Sequence, residues 1–139
     1  MTFQKKLLLK TTKNGDMFDI TTKVAEVVRQ SKIQVGMVNV FNVGTTASIG
    51  TIEMEPSLKA DFTDTVNRLI PKDDSYDYSE TTEIGNAHSH IQATALGCEV
   101  TIPISDGKMM LGNWQQIFHL ECDEKPRIRD IVVTVYGDS

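Results

Sequence analysis

The sequence predicts an α+β protein in which a mostly antiparallel β-sheet or sandwich is covered by about three helices. Polar and apolar residues alternate through Ile33–Val43, as in a half-buried strand. Apolar residues recur at helical spacing after Thr21 and again after Pro56. The second half of the chain consists of strand-like segments joined by short turns. This order favours α+β architecture, and a length of 139 residues matches a single domain, 1–139.

Local signals predict the elements of the first half. Asn14-Gly15 is a β-hairpin signal, so we expect the strands before and after it to pair with each other. The first helix is predicted to begin at Thr21 or Thr22 and to end near Ser31. The predicted strands of this half are Phe3–Lys10, Met17–Ile20, Ile33–Val43 and Thr45–Glu53.

Two further helices are predicted later in the chain. Pro56 is well placed as the first residue of a helix that Pro71 ends. Ser89 is the predicted N-cap of the third helix, with Gln92 as its capping-box partner, and Gly97 supplies the C-terminal stop. Such a helix start attracts anions, phosphate above all, because its free N–H groups and the helix dipole act together.

The end of the chain is predicted to be all strand. Asp106-Gly107 is the signal of a hairpin between the first two of these strands, and a turn at Asp123–Pro126 separates the last two. The predicted strands are Cys98–Ile104, Met109–Leu111, Gln115–Cys122 and Ile128–Tyr136.

Composition excludes several classes of function. The formal net charge of −5 argues against general binding of nucleic acids or membrane surfaces, which need a basic footprint. The two cysteines, Cys98 and Cys122, lie in apolar strand-like runs, and we expect both to be buried thiols. Nothing resembles a secretory signal or a long apolar span, so we expect a cytoplasmic protein. A small anionic or phosphorylated metabolite is the expected partner.

A set of short motifs covers nearly the whole chain, and together they resemble the YjbQ family, the UPF0047 proteins. The combination of an LGxWQ segment, a Ser-His pair at a helix start and a terminal RxR strand is specific. The matching segments are Thr45-Thr46-Ala47, Glu53, Asp61, Asn86–His90, Ala95–Gly97, Pro103–Gly107, Leu111–Ile117, Pro126–Arg129 and Tyr136–Asp138.

The resemblance implies a small α+β domain that assembles as a homotrimer, with sites near subunit boundaries that often hold a metal or an anion. It also implies a secondary thiamine-phosphate synthase activity, which joins hydroxymethylpyrimidine diphosphate to thiazole phosphate. The chain departs from many members in having Gly44 and Glu80 where they have histidine, and His88 where bacterial members often have proline. These departures resemble archaeal members.

Four residues are the expected catalytic groups. His90 matches the site histidine of the family and lies at the predicted helix start, and Arg129 matches the family arginine, whose guanidinium can grip a phosphate. Glu53 and Asp61 could act as general bases or complete a site for Zn²⁺, Mg²⁺ or Mn²⁺, for which the expected ligands are His90, His88 and Glu53. The alternative roles are capping or packing for His90 and salt bridging for Arg129. For the acids they are a charge at a helix entrance for Glu53 and a solvated helix face for Asp61.

Substrate contacts are expected from a second set of residues. Trp114 could stack on a planar heterocycle while Gln115 bonds its edge, although a lone tryptophan is as often part of the core. Hydroxyl, amide and backbone donors for phosphate come from Thr45, Thr46, Asn86 and Ser89, all of which could equally be turn or cap residues. His119 is expected to be a partly exposed strand residue.

Two other functions fit the same residues. One is a non-catalytic trimer that binds a phosphorylated metabolite. The other is a metal-dependent phosphate-ester hydrolase in which Glu53 or Asp61 is the base for a metal-bound water.

Overall fold

Two antiparallel sheets form the framework of the computed structural model, which describes residues 1–72, 75–78 and 85–139. The larger sheet has five strands in the order β1-β8-β3-β5-β6, and the smaller one has three in the order β2-β7-β4. The strands are β1 (Thr2–Lys10), β2 (Met17–Asp19), β3 (Val35–Val43), β4 (Ala47–Ile52), β5 (Glu99–Ser105), β6 (Lys108–Met109), β7 (Gln116–Glu121) and β8 (Ile128–Asp138).

Three helices complete the described elements, namely α1 (Thr21–Ser31), α2 (Pro56–Leu69) and α3 (Ala87–Leu96). Helix α2 begins with Pro56 as predicted, and the Glu55 carboxylate caps it by accepting from the backbone N–H of Ser57 and Leu58. Helix α1 ends at Ser31, and its C-cap Lys32 adopts the left-handed conformation. The predicted fold class is confirmed.

The predicted hairpin between β1 and β2 is wrong. β1 pairs with β8, whereas β2 pairs with β7 in the other sheet. The Asn14-Gly15 turn therefore carries the chain from one sheet to the other, and Gly15 N–H donates to the Glu121 carbonyl at 2.9 Å. The Asp16 carboxylate holds the turn by accepting from the backbone N–H of Thr12 and Lys13.

The small sheet has buried residues on both of its faces. Ile117 of β7 belongs to the main core, which the large sheet and α1 also line with Val38, Val133 and Val27. The next residue, Phe118, belongs to a second core on the opposite face, against α2 and α3. Its ring lies 5.8 Å from that of Phe62, between centroids. Consequently β7 is buried along nearly its whole length.

The Asp106-Gly107 hairpin is confirmed, since β5 pairs with β6 and both turn residues have positive φ. In the described part of the chain, no helix is both long and apolar enough to cross a lipid bilayer.

Candidate active site beside helix α3

A buried ion pair lies where β8 passes the end of β7. The Arg129 guanidinium binds the Glu121 carboxylate through Nε, at 2.8 Å to Oε1, and through Nη2 to Oε2. The exposed fraction of both side chains is small, 7% for Arg129 and 0% for Glu121. Arg129 Nη2 also donates to Thr46, at 2.8 Å to Oγ1 and 3.0 Å to the carbonyl oxygen. The Arg129 guanidinium is thus held from two sides.

A second carboxylate extends this group. Asp123 accepts from Thr46 Oγ1 at 3.2 Å and from Arg127 Nη2 at 2.6 Å. Burial by itself raises the pKa of Asp123, but hydrogen bonds from Arg127, from the Glu124 backbone and from the Asn86 side chain bring it below its ordinary value. Asp123 is therefore ionised at neutral pH. We call this set the Arg129 cluster; it consists of Thr46, Glu121, Asp123, Arg127 and Arg129.

One nitrogen of the Arg129 guanidinium, Nη1, differs from the other two. Nη1 makes no hydrogen bond with any residue in the described part of the chain. It lies against Gly44, where a Cβ atom would be only 3.1 Å from Nη1 and the backbone has φ of 149°. Because of this close approach and the positive φ, a residue larger than glycine would not fit well at position 44.

Gly44 also lines a cavity of about 290 Å³, which we call the Gly44 cavity. Thr45 and Thr94 bring hydroxyl groups to its lining, and Cys98 brings a thiol. Cys98 is therefore only partly buried, contrary to expectation, whereas Cys122 is fully buried as expected. Burial and the neighbouring Glu121 charge raise the pKa of the Cys122 thiol to about 12. The remaining lining residues are Ala47, Ala93 and Gly97.

The first turn of α3 differs from the predicted one. The helix begins at Ala87 with Asn86 as N-cap, so Ser89 is not the cap, and both His88 and His90 lie inside the helix. Gln92 does not cap either, because its Nε2 donates to Asn67 Oδ1 and to the Ile70 carbonyl. The predicted stop at Gly97 is confirmed.

The two neighbouring histidines have different surroundings. His88 is buried, and its Nε2 lies 2.6 Å from Glu124 Oε1. His90 is half-buried, with its ring 5.3 Å from the ring of Tyr78 in an edge-on arrangement. His90 lines a second cavity of about 450 Å³, the His90 cavity, together with Ser75, Tyr76, Asp77, Tyr78, Ala87 and Ile91.

The two cavities adjoin the same helix face. His90 lines one and Thr94 lines the other. Because they are four residues apart in a helix, they lie on one side of it and about 6 Å apart along the axis, slightly more than one turn. Helix α3 thus carries the His90 imidazole and the Thr94 hydroxyl group on one side. The buried Arg129 lies beside Gly44, which lines the same cavity as Thr94.

Other predicted site residues lie elsewhere. Glu53 and Trp114 share a third cavity at the opposite end of the β4–β7 pair, and Asp61 is exposed on α2. The Gln115 amide is engaged with Gly112 N–H and Thr51 Oγ1, both at 3.1 Å. Within residues 1–72, 75–78 and 85–139, no three His, Cys, Asp or Glu side chains form a group that could hold a metal ion. The expected ligands His88, His90 and Glu53 are accordingly not assembled, and Glu80 lies outside the described residues.

Sequence reasoning misjudged the burial of His119 and did not identify Glu121 or Asp123 as residues of this region. His119 is fully buried, not partly exposed as predicted, and its Nε2 lies 2.9 Å from Asn42 Oδ1. Burial lowers its pKa to about 4. Glu121 was not singled out at all. The alternation along β7 could have indicated that Glu121 is buried. Glu121 follows His119 by two residues, residues at this spacing share one face of a strand, and this face begins with the core residue Ile117.

Known proteins resemble this chain along nearly all of its length. UPF0047 protein MJ1081 of Methanocaldococcus jannaschii is 37% identical over 134 residues, which are 96% of this chain and 94% of the relative. YugU of Bacillus subtilis, also a UPF0047 protein, is 29% identical over 134 residues, 96% of this chain and 98% of YugU. The higher identity to the archaeal protein agrees with the archaeal resemblance in the sequence.

Solved structures show the same fold. SSO2532 of Sulfolobus solfataricus, described as a YbjQ-like protein of unknown function, superposes with a TM-score of 0.89 and 28% identity over 99% of this chain and all of that one. An uncharacterised yjbq/upf0047 protein of Clostridium acetobutylicum has a TM-score of 0.86 and 34% identity over 95% of this chain and 99% of its own. The sequence model of the UPF0047 protein YjbQ-like family matches residues 5–138. The chain therefore belongs to the YjbQ family, UPF0047.

Proposed function

We propose that this protein is a secondary thiamine-phosphate synthase, which joins hydroxymethylpyrimidine diphosphate to thiazole phosphate beside helix α3. The observation that supports this best is the pair of cavities along one face of the helix, one lined by His90 and the other by Thr94. A condensation needs two small ligands held side by side, because fixing their mutual position supplies much of the rate enhancement.

The Gly44 cavity suits the phosphate of the thiazole substrate. Arg129 is held by Glu121 and Thr46, so its free Nη1 is fixed in place beside Gly44. The hydroxyl groups of Thr45 and Thr94 can donate to further phosphate oxygens. No carboxylate lines this cavity in the described part of the chain, which favours an anion.

The His90 cavity suits the pyrimidine. Tyr78 and His90 offer aromatic edges and faces to a planar ring, and the Asp77 carboxylate can accept from an exocyclic amino group. In the reaction the thiazole nitrogen attacks the methylene carbon of the pyrimidine, a C–N bond forms, and the C–O bond to pyrophosphate breaks. Positive charge that develops on the methylene carbon is spread into the pyrimidine ring, so the residues contribute mainly by binding and orientation.

The direct test is a condensation assay. Purified protein is given both substrates with and without Mg²⁺, Mn²⁺ or Zn²⁺, and thiamine phosphate and free phosphate are each quantified. Thiamine phosphate formation supports the proposal. Release of phosphate without condensation would instead indicate the hydrolase, and tight binding of the thiazole phosphate without either product would indicate the non-catalytic binder.

Two variants of α3 test whether the thiazole phosphate binds in the Gly44 cavity. Thr94→Phe fills the Gly44 cavity, whereas Ala95→Phe adds the same ring to the next exposed position of α3, which lines neither cavity. We expect Thr94→Phe to lower kcat/KM for thiazole phosphate at least ten-fold and Ala95→Phe to leave it within two-fold. Equal activity of the two variants would contradict this placement of the substrate.

We also propose that the protein acts as a homotrimer, as the family resemblance implies. The outward face of the large sheet supports an assembly, because it exposes several large apolar side chains, among them Met37, Phe41 and Tyr136.

A further inference from the structure

The third cavity, which Trp114 lines, lies at the far end of the small sheet from the Arg129 cluster. The pairing of Ile52 with Gln116 places the β4–α2 connection beside the segment that precedes β7. The cavity between these two segments measures about 390 Å³, which is within the range of small-ligand sites. It is lined by Glu53, Met54, Glu55, Asn113, Trp114 and Gln116.

The backbone that carries Trp114 is held in place. Gln115 N–H donates to the Gly112 carbonyl at 3.0 Å, and the Gln115 side chain accepts from Gly112 N–H and donates to Thr51 Oγ1. The turn is thereby closed on itself and tied to β4. Trp114 is nevertheless 74% exposed. Because the backbone that carries this ring is fixed, a ligand that covers the ring restricts only its two side-chain torsions.

The charge on the cavity lining is negative. The Glu53 carboxylate makes no hydrogen bond or ion pair with the described residues. The pKa of Glu55 lies below its ordinary value because its carboxylate accepts from the Ser57 hydroxyl and from the backbone N–H of Ser57 and Leu58. Glu55 is therefore occupied as the cap of α2, while the charge of Glu53 is available. Among the described residues no lysine or arginine lines the cavity.

We propose that this cavity binds a small organic ammonium ion, with the cation between the Trp114 indole and the Glu53 carboxylate. An indole face attracts cations through its quadrupole, and Trp is the best of the side chains for this. A carboxylate beside the ring adds charge complementarity, and Met54 supplies an apolar surface for the alkyl groups. A divalent metal ion fits less well, because Glu53 is the one carboxylate here that is not already engaged in capping and the described residues form no metal-binding group at this place.

Intrinsic fluorescence tests the proposal directly, since Trp114 is the single tryptophan of the chain. Choline is titrated at constant ionic strength, and its neutral isostere 3,3-dimethylbutan-1-ol serves as the control. We expect a saturable change in Trp114 emission with choline in the millimolar range and at least a five-fold weaker response to the neutral alcohol.

Two carboxylate variants distinguish specific binding of choline by Glu53 from attraction of the cation by the overall negative charge of the protein. Glu53→Gln should weaken choline binding at least five-fold, whereas Asp61→Asn removes the same charge from a surface outside this cavity and should leave the affinity unchanged. Calorimetry on Trp114→Leu should show loss of choline binding. Equal responses to choline and the alcohol, or equal affinities of Glu53→Gln and Asp61→Asn, would overturn the proposal.

Discussion

The Arg129–Glu121 pair holds the guanidinium that lies against Gly44, a residue of the Gly44 cavity lining. Two charges are removed from water here. Each is stabilised by the other, Arg129 also donates to Thr46, and Glu121 also accepts from Thr11 Oγ1 and from Asp123 N–H. Such a pair contributes little net stability, but breaking it leaves a buried charge without a partner. The pair thus fixes the position of Arg129 Nη1 beside Gly44. The free-energy cost of removing each charge from water is offset only while the other charged residue is present.

Replacing one residue of this pair should therefore lower the free energy of unfolding more than replacing both. We expect Arg129→Met to lower the free energy of unfolding by about 3–5 kcal/mol, because Glu121 is left buried and charged. The double variant with Glu121→Leu should recover most of that loss. Urea denaturation of the two single variants, the double variant and the parent checks this, and additive losses would contradict it.

His119 should make stability depend on pH. Its folded-state pKa of about 4 lies below the ordinary 6.5, so between these values the unfolded chain binds a proton that the folded chain does not. Stability contributed by His119 is full above pH 6.5 and is lost as pH falls toward 4. The difference between these two pKa values corresponds to about 3 kcal/mol of stability.

The variant His119→Gln isolates this contribution, since an amide can still donate to Asn42 Oδ1. Asp123 also destabilises the fold in acid as it becomes protonated, and this effect is common to both proteins. Between pH 7 and pH 4.5 we expect the parent to lose about 2–3 kcal/mol more than His119→Gln, measured by urea denaturation. Parallel losses in the two proteins would argue against a buried neutral His119.

Site residues were predictable only where a motif marked them. Arg129 and Thr46 were found through family segments, and the structure brings them into direct contact. The neighbouring Glu121 and Asp123 were missed, because an acidic residue in a strand reads as a solvent-facing position unless its partner is known. The buried charge of Glu121 is explained by Arg129, which lies eight residues further along the chain in another sheet.

Individual elements were predicted well wherever one local signal determined them. Helix α2 begins at Pro56 and the β5–β6 turn falls at Asp106-Gly107, both as expected. The start of α3 was misplaced because Ser89 and Gln92 match a capping box, yet Gln92 is used instead to tie α3 to α2. A tertiary contact therefore overrode a local signal.

The β5–β6 turn provides a test of such a local signal. Gly107 has φ of 74°, a region that costs an L-residue about 1–2 kcal/mol, and a Cβ there would lie 3.1 Å from Gln34 Nε2. Gly107→Ala should lower the free energy of unfolding by that amount. Gly112→Ala is the control, since a Cβ on Gly112 meets its nearest atom at an ordinary 3.6 Å. Equal thermal or urea midpoints for the two variants would disagree with this interpretation.

At the scale of the whole molecule, the sequence predicted the strands and one local hairpin but not the pairing of strands that are distant in the chain. Alternation shows that one face of a strand is buried, but it does not show which strand lies alongside. The Asn14-Gly15 turn therefore suggested a local hairpin, whereas β1 pairs with β8 from the other end of the chain. For the same reason Glu53 and Trp114 were grouped with His90, although the fold places them at the opposite end of β4.

The outward face of the large sheet exposes large apolar side chains. Val38 and Val40 of β3 point into the main core, so the alternate residues Met37 and Phe41 point outward, and Phe41 is 40% exposed beside Val132 of β8. No described helix has contacts with β3 comparable to those of the neighbouring strands. An apolar sheet face of this kind is typical of an interface between subunits.

If this face forms the proposed trimer, a charge at its centre should prevent assembly. Phe41→Lys places an ammonium group in the contact, where its desolvation has no compensating partner. Ala60→Lys adds the same charge to the exposed side of α2. By size-exclusion chromatography with light scattering, we expect three times the mass of one chain for the parent and Ala60→Lys, and a single chain for Phe41→Lys. A trimeric Phe41→Lys protein would place the interface on another surface, and a monomeric parent would contradict the trimer itself.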